Sequence, residues 1–290
     1  MGGRTVSVYV PLHVTGFFKP YICDDPLRSG SVGAGLVLEP GLRCEVRRLD
    51  GCGPRVLFNG REAEIQPVNL VLEAFGSGAR GVEVRIDSPA PIGVGYGVSG
   101  SAALAVAIAL SRLAGVRELE AARLAHAAEV RALTGLGDVI AVYEGRELEL
   151  RTRPGAPGLG SVTSFRVPRG ISILALEIGT MHTAKMLTEM RRVIEEHGTQ
   201  ALERFAENPT IWGFFECSRA FSRAVGFMPR RVEEALGRLG DGLIGYTVKK
   251  GVLMAAVEDG FLEDAAEALR RHFGLCRVFR PGGGVRVCTG

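Results

Sequence analysis

Lysine is scarce in this chain: Lys19, Lys185, Lys249 and Lys250 are the only four, and arginine supplies the rest of the 35 basic residues. The formal net charge is only +3 and its carriers are scattered, which argues against a nucleic-acid-binding surface. Long apolar runs are missing too. The longest, Ala102 to Leu110, is far shorter than the roughly 20 residues that span a bilayer. The first residues, MGGRTVSVYV, lack the apolar core and cleavage site of a secretory signal, so a cytoplasmic protein with no membrane partner is expected. The six cysteines (Cys23, Cys44, Cys52, Cys217, Cys276, Cys288) form no CxxC pair, and a chain of 290 residues needs no disulfide framework. Isolated buried thiols are the expectation. No internal repeat is visible. With 46% hydrophobic and 23% charged residues, disorder is excluded and a two-part globular enzyme is the natural prior for this length.

What is abundant is glycine, and its densest cluster carries the strongest signal. Pro91 to Ala103 reads PIGVGYGVSGSAA. Upstream, Val82, Val84 and Ile86 alternate with polar residues as a half-buried strand does. Downstream, Ser99 to Leu113 is rich in alanine and leucine and is followed by Gly115, a helix with a glycine stop. Gly93, Gly95, Gly97 and Gly100 therefore lie where a strand hands over to a helix, and backbone N–H groups converge there on an anion. Two familiar phosphate loops fit poorly. No lysine follows the glycines as GxxxxGK[ST] requires. Gly95, Gly97 and Gly100 match GxGxxG, but no βαβ unit with an acid at its second strand follows.

Further along, a helix is predicted over Leu119 to Leu133, with His126 and Glu129 on its apolar face. A carboxylate there must be paired or hold a cation. Nine residues on, Asp138 is predicted at the head of a strand, Val139 to Tyr143. Pro154 to Gly158 (PGAPG) marks a break, dividing the chain at about residue 160. Residues 13–35 read as a long polar loop. Two short strands are predicted at Leu36 to Leu38 and Arg43 to Arg48, and a helix break near Gly198. Cys276 to Phe279 and Val285 to Cys288 read as a closing hairpin. Strands and helices mix without strict βαβ alternation, which favours an α+β architecture in two halves. A phosphate turn, a buried acid and a nearby aspartate supply the parts of phosphoryl transfer.

The segments VPLHVTGFF, DPLRSGSVGAG, GYGVSG, GLGDV and RTRPGAPG, in this order, resemble the archaeal pantoate kinases, a branch of the GHMP kinase superfamily. The likeness is close over residues 1–160 and one of layout beyond. It implies a two-domain GHMP kinase fold: a ribosomal-protein-S5-like nucleotide- and Mg-binding half (1–160) and a ferredoxin-like half (161–290) that completes the substrate cleft. It implies ATP and Mg²⁺, and transfer to the 4-hydroxyl of pantoate on the route to coenzyme A. Alternatives are another GHMP small-molecule kinase, acting on homoserine, mevalonate or shikimate, or a non-catalytic metabolite-binding relative.

Residue by residue, the resemblance implies that Asp138, Ser99 and Glu129 are catalytic, with Ser99 and Glu129 at the metal. Asp138 either accepts the hydroxyl proton or orients the hydroxyl. Pro91, Gly93, Gly95, Gly97, Ser99, Gly100 and Ser101 would hold the nucleotide. Ser31, His13, His126, Arg151 and Thr183 would meet the substrate, with Arg151 on its carboxylate and Arg153 as the rival. His13 stands where many relatives carry a lysine in their first motif. The third glycine motif is degraded, either Gly240, Gly242 and Gly245 or Gly282 to Gly284. A homodimer is expected as the commonest soluble assembly.

Overall fold

The architecture comes from a computed structural model, which describes residues 5–49, 53–179, 186 and 188–289. Two long antiparallel strands dominate it, β1 (Thr5–Tyr21) and β2 (Gly30–Arg48), in register from Thr5 opposite Arg47 to Tyr21 opposite Gly30. Most of the stretch predicted as a loop over residues 13–35 is therefore strand. The reason is burial on both faces: Leu12 to Phe18 is buried throughout, so no polar alternation marks it, and bulges after Val10 and Thr15 interrupt the period further. The two short strands predicted at residues 36–38 and 43–48 are parts of β2.

The remaining strands are β3 (Arg55–Phe58), β4 (Arg61–Glu62), β5 (Val82–Asp87), β6 (Leu148–Arg153), β7 (Ser161–Phe165), β8 (Ile171–Glu177), β9 (Leu243–Lys249), β10 (Val252–Glu258), β11 (Cys276–Pro281) and β12 (Arg286–Thr289). They join into one 12-stranded sheet with the path β4-β3-β5-β2-β11-β8-β10-β9, while β1, β12, β6 and β7 attach at its side. Strand β11 is the splice: Cys276 to Phe279 pair with β8, and Arg280 and Pro281 pair with β2. The predicted closing hairpin does not form. Strand β12 pairs with β1 instead, because Gly282 is held by backbone hydrogen bonds to Val37 and Glu147, which carries the chain away from β11.

Helices α1 (Gln66–Phe75), α2 (Val98–Ala114) and α3 (Glu118–Arg131) pack together, with α2 at the centre. Apolar almost all round, α2 buries Val98 and every residue from Gly100 to Ser111, as a central helix must. Gly115 closes it in the left-handed conformation at φ 71°. Helix α4 (Asp138–Glu144) replaces the predicted strand. A short buried apolar run reads alike in either state, and its continuous burial from Val139 to Val142 comes from tertiary packing rather than local propensity.

In the second half lie α5 (Arg191–Glu207), α6 (Ile211–Ala224), α7 (Arg230–Leu236) and α8 (Leu262–Phe273). Gly198 does not break α5. It lets the helix approach β1, since a Cβ there would fall 2.2 Å from the Phe18 carbonyl oxygen. Phe17 meets Phe205 of α5 at 5.6 Å and Phe18 meets Phe221 of α6 at 5.9 Å, so an aromatic cluster fastens β1 to the C-terminal helices. Cys44, Cys217 and Cys276 are buried as expected, but Cys23 is exposed because it sits in the β1–β2 turn.

Candidate functional site

The glycine turn delivers its backbone to the start of α2. Gly93, Gly95 and Gly97 adopt φ of 88°, 124° and 66°, conformations closed to most side chains. The first helical bond is Ser101 N–H to the Gly97 carbonyl, so the N–H groups of Val98, Ser99 and Gly100 precede the helical ladder. They bound a cleft of about 250 Å³ lined also by Gln66, Glu129, Thr134, Asp138, Lys249 and Lys250. The positive end of α2 and two lysines give this cup an electrostatic character suited to an anion.

Both predicted carboxylates reach it. A Cβ on Gly100 would fall 2.5 Å from Glu129 Oε1, and one on Gly97 would fall 3.4 Å from Asp138 Cγ. Gly135 lies against both: a Cβ there would lie 2.3 Å from Glu129 Oε1 and 2.7 Å from Asp138 Oδ2. Burial raises the Glu129 carboxyl well above its usual range, and the Asp138 charge adds to this. Burial would raise Asp138 too, but the hydrogen bond and charge of His13, with Lys249 and Lys250, carry it below the usual carboxylate range. The two neighbouring acids are thereby pushed in opposite directions, Glu129 up and Asp138 down. Gly135→Ala is expected to push them apart and lower kcat about 10²-fold, the cost of a misplacement near 1 Å. Steady-state kinetics beside an unchanged circular dichroism spectrum check this.

A second, smaller cavity of about 20 Å³ adjoins the cup and shares Asp138, Lys249 and Lys250 with it. Thr15, Ser31, Gly135 and Gly137 give it polar and backbone walls, while Phe18, Leu136 and Met186 give it an apolar one. Behind Gly137 lies a buried chain of charge. His13 Nδ1 is 2.7 Å from Asp138 Oδ1 and its Nε2 is 2.9 Å from Glu149 Oε1. Arg151 Nη1 donates to the same Glu149 oxygen. The side chain of Arg151 is 1% exposed, yet its Nε and Nη2 have no hydrogen-bond partner among the described residues. These two donors form one fork, and a Cβ on Gly137 would fall 2.8 Å from that Nε and 2.7 Å from Ser31 Oγ.

Gly93, Gly95, Gly97, Ser99, Gly100, Glu129 and Asp138 thus gather at the cup, and Ser31 at the neighbouring cavity. Others stand back. Pro91 precedes the turn without lining the cup, and the Ser101 hydroxyl turns away to donate to the Pro11 carbonyl at 2.8 Å. His13 is one contact behind Asp138. His126 is buried beside neither cavity, its Nε2 donating to the Ser29 carbonyl at 2.9 Å, and burial lowers its pKa. Thr183 lies outside the described residues. Neither glycine candidate for a third motif lines the cleft. Gly242 and Gly245 make room for the Phe261 and Phe215 rings, and Gly282 to Gly284 bear on Glu39, Val37 and Arg146.

Sequence reasoning missed Lys249, Lys250, Thr15 and Glu149. For the lysines a signal existed: two of only four in the chain stand side by side before Gly251. Strand β9, absent from the sequence reading, carries Lys249 inward. Burial lowers its pKa to about 7, with Lys250 contributing, against the pull of Asp138.

The GHMP kinases N terminal domain matches residues 65–146, the segment that supplies the cup, Glu129 and Asp138. The pantoate kinase of Thermococcus kodakarensis is 35% identical over 241 residues, 79% of each chain. This chain belongs to the pantoate kinase family of GHMP kinases. A solved phosphotransferase related to the CoA biosynthesis pathway superposes with a TM-score of 0.88 at 27% identity, over 98% of this chain and 99% of that one. A complex of MDDEF with MVAPP, AMPPCP and magnesium shares the fold at a TM-score of 0.74 and 12% identity, over 99% of both chains. The α+β arrangement described above is therefore the GHMP kinase fold, and the segment matched by the GHMP N-terminal domain, residues 65–146, contains the glycine turn.

Proposed function

We propose that the protein transfers the terminal phosphoryl group of ATP to the 4-hydroxyl of pantoate. The observation that carries this reading is the junction of two cavities at Asp138: an anion cup on one side and, on the other, a small cavity with hydroxyl, apolar and cationic surroundings. Pantoate has matching parts. Its gem-dimethyl group suits Phe18, Leu136 and Met186, and its hydroxyls suit Thr15 and Ser31. The unpartnered Nε–Nη2 fork of Arg151 beside Ser31 supports a bidentate grip on the carboxylate. The 20 Å³ cavity has room for about one water, so pantoate enters as the wall around Gly137 gives way toward Arg151.

The phosphates of ATP would take the N–H groups of the glycine turn. Ser99 and Glu129 would hold Mg²⁺: the donors are all oxygen, and Glu129 Oε1 faces the gap left by Gly100 and Gly135. No group of three or more His, Cys, Asp or Glu among the described residues forms a metal site on its own, so phosphate oxygens would have to complete the coordination. When bound, the ion neutralises phosphate charge as the transferring group loosens. Asp138 is pinned by His13 through Oδ1, and its Oδ2, beside Glu129 Oε1 at Gly135, would turn to the acceptor hydroxyl and its proton once Glu129 takes up the metal. We further propose that residues 1–160 bind nucleotide and metal and residues 161–290 complete the cleft, since Met186, Lys249 and Lys250 come from the latter. No helix among the described residues is long and apolar enough to cross a membrane.

The test is an acceptor panel with Mg²⁺ and ATP, read by ADP release and by ³¹P NMR of the product. Pantoate should yield a phosphomonoester while homoserine, mevalonate and shikimate remain largely unchanged. Turnover of homoserine with none of pantoate would refute the assignment.

A further inference from the structure

Phosphoryl transfer needs positive charge on the group in transit, beyond what the nucleotide site offers the other phosphates. The glycine turn has no lysine after it. His13 is engaged at both ring nitrogens by Asp138 and Glu149, and Arg151 is bonded to Glu149 behind the cavity wall. Among the described residues, the cationic side chains lining either cavity are Lys249 and Lys250. Both come from the far half of the chain, at the tip of the β9–β10 hairpin.

Lys249 is the better placed of the two. It is the last residue of β9, opposite Val252 of β10, and is only 8% exposed. Its Nζ lies 5.0 Å from the centroid of the Phe18 ring, a residue that itself lines the smaller cavity. The ring face favours the ammonium while the apolar surroundings strip its water, which strengthens its attraction for phosphate. Lys249 borders both cavities, as Asp138 and Lys250 do, so it stands where the two adjoin.

The hairpin is also fixed relative to the phosphate turn. Gly251 N–H bonds the Lys249 carbonyl at 2.7 Å, and a Cβ on Gly95 would meet Val252 at 3.3 Å and the Lys249 carbonyl oxygen at 3.4 Å. Close packing of glycine turn on hairpin tip sets where the ammonium sits. Resting on the kinase reading above, we propose that Lys249 is a catalytic residue that contacts the phosphoryl group as it passes from ATP to the acceptor, supplying from the C-terminal half the cation that the first motif lacks.

The experiment uses the full chain and compares wild type with Lys249→Met and Lys249→Arg. Turnover is measured with each acceptor of the panel, and Mg·ADP binding by calorimetry. Lys249→Met should lose about 10²–10³-fold in kcat, the cost of removing one donor from a developing charge. Its ADP affinity and acceptor KM should stay within about threefold of wild type, since a residue used mainly in the transition state changes kcat most. Lys249→Arg should recover at least tenfold over Lys249→Met. In wild type, ADP with aluminium fluoride and pantoate should form a tight complex that Lys249→Met does not form. Undiminished turnover by Lys249→Met, or a matching loss of ADP binding, would overturn the role of Lys249 alone. Absence of turnover by wild type with every acceptor would overturn the kinase reading and this inference with it.

Discussion

Asp138→Asn is expected to lower kcat by about 10²–10⁴-fold, the range covered by a general base, with KM for ATP and pantoate changed by less than about threefold. The substitution keeps size and shape. An amide oxygen still accepts from His13 Nδ1, now 2.7 Å from Asp138 Oδ1, so the loop from Gly135 to Gly137 need not move. What disappears is the negative charge that His13, Lys249 and Lys250 hold in place against burial. An amide does not take a proton from the acceptor hydroxyl at any pH in the working range. Asp138 then differs from a group that merely orients the hydroxyl, which an asparagine would also do. A fall in kcat of less than tenfold would assign it the orienting role. Rapid-quench measurement of the first turnover separates the chemical step from product release and makes the comparison clean.

Replacing Glu149 should have the largest effect on stability. Its Oε1 accepts from both His13 Nε2 and Arg151 Nη1, and all three side chains are buried. Glu149→Gln leaves the guanidinium without its anion, and removing one partner of a buried pair typically costs about 3–5 kcal/mol. In a chain of this size that lowers Tm by roughly 6–15 °C, readable by differential scanning calorimetry at neutral pH. Removing both ions has a different outcome. Glu149→Leu with Arg151→Met leaves no unpaired guanidinium, although His13 Nε2 still loses its acceptor, and should regain part of the lost stability, while pantoate KM rises because the carboxylate grip is gone. If the single and double variants melt together, the pair is not what the fold depends on. A double variant with unchanged pantoate KM would remove Arg151 from the substrate site.

The glycine turn, the α2 helix and the acids Glu129 and Asp138 were legible because each rests on local rules. Positive φ calls for glycine, an apolar helix with a glycine stop reads as such, and a carboxylate on an apolar helix face needs a reason. The resemblance to the pantoate kinases added the substrate, and it was carried by short motifs within residues 1–160. Less legible were segments buried on both sides. Leu12 to Phe18 and Val139 to Val142 have no polar face, so periodicity cannot tell strand from loop or helix there. Packing against α5, α6 and β2 decided the first, and packing against β1, α2 and α3 the second.

The sequence by itself determined the glycine turn at the head of α2, the acidic residues beside it and the family to which the chain belongs, since these depend on residues near one another along the chain. Only the tertiary structure decided what surrounds them: Lys249 and Lys250 at the cup, the His13–Glu149–Arg151 chain behind it, and the seating of β11 between two sets of strands. Apart from Glu149 with Arg151, those contacts join residues far apart along the chain, as His13 to Asp138 and Arg277 to Glu177 illustrate. Burial, charge pairing and aromatic packing act on whatever the folded chain brings together, and no spacing rule along the sequence encodes that.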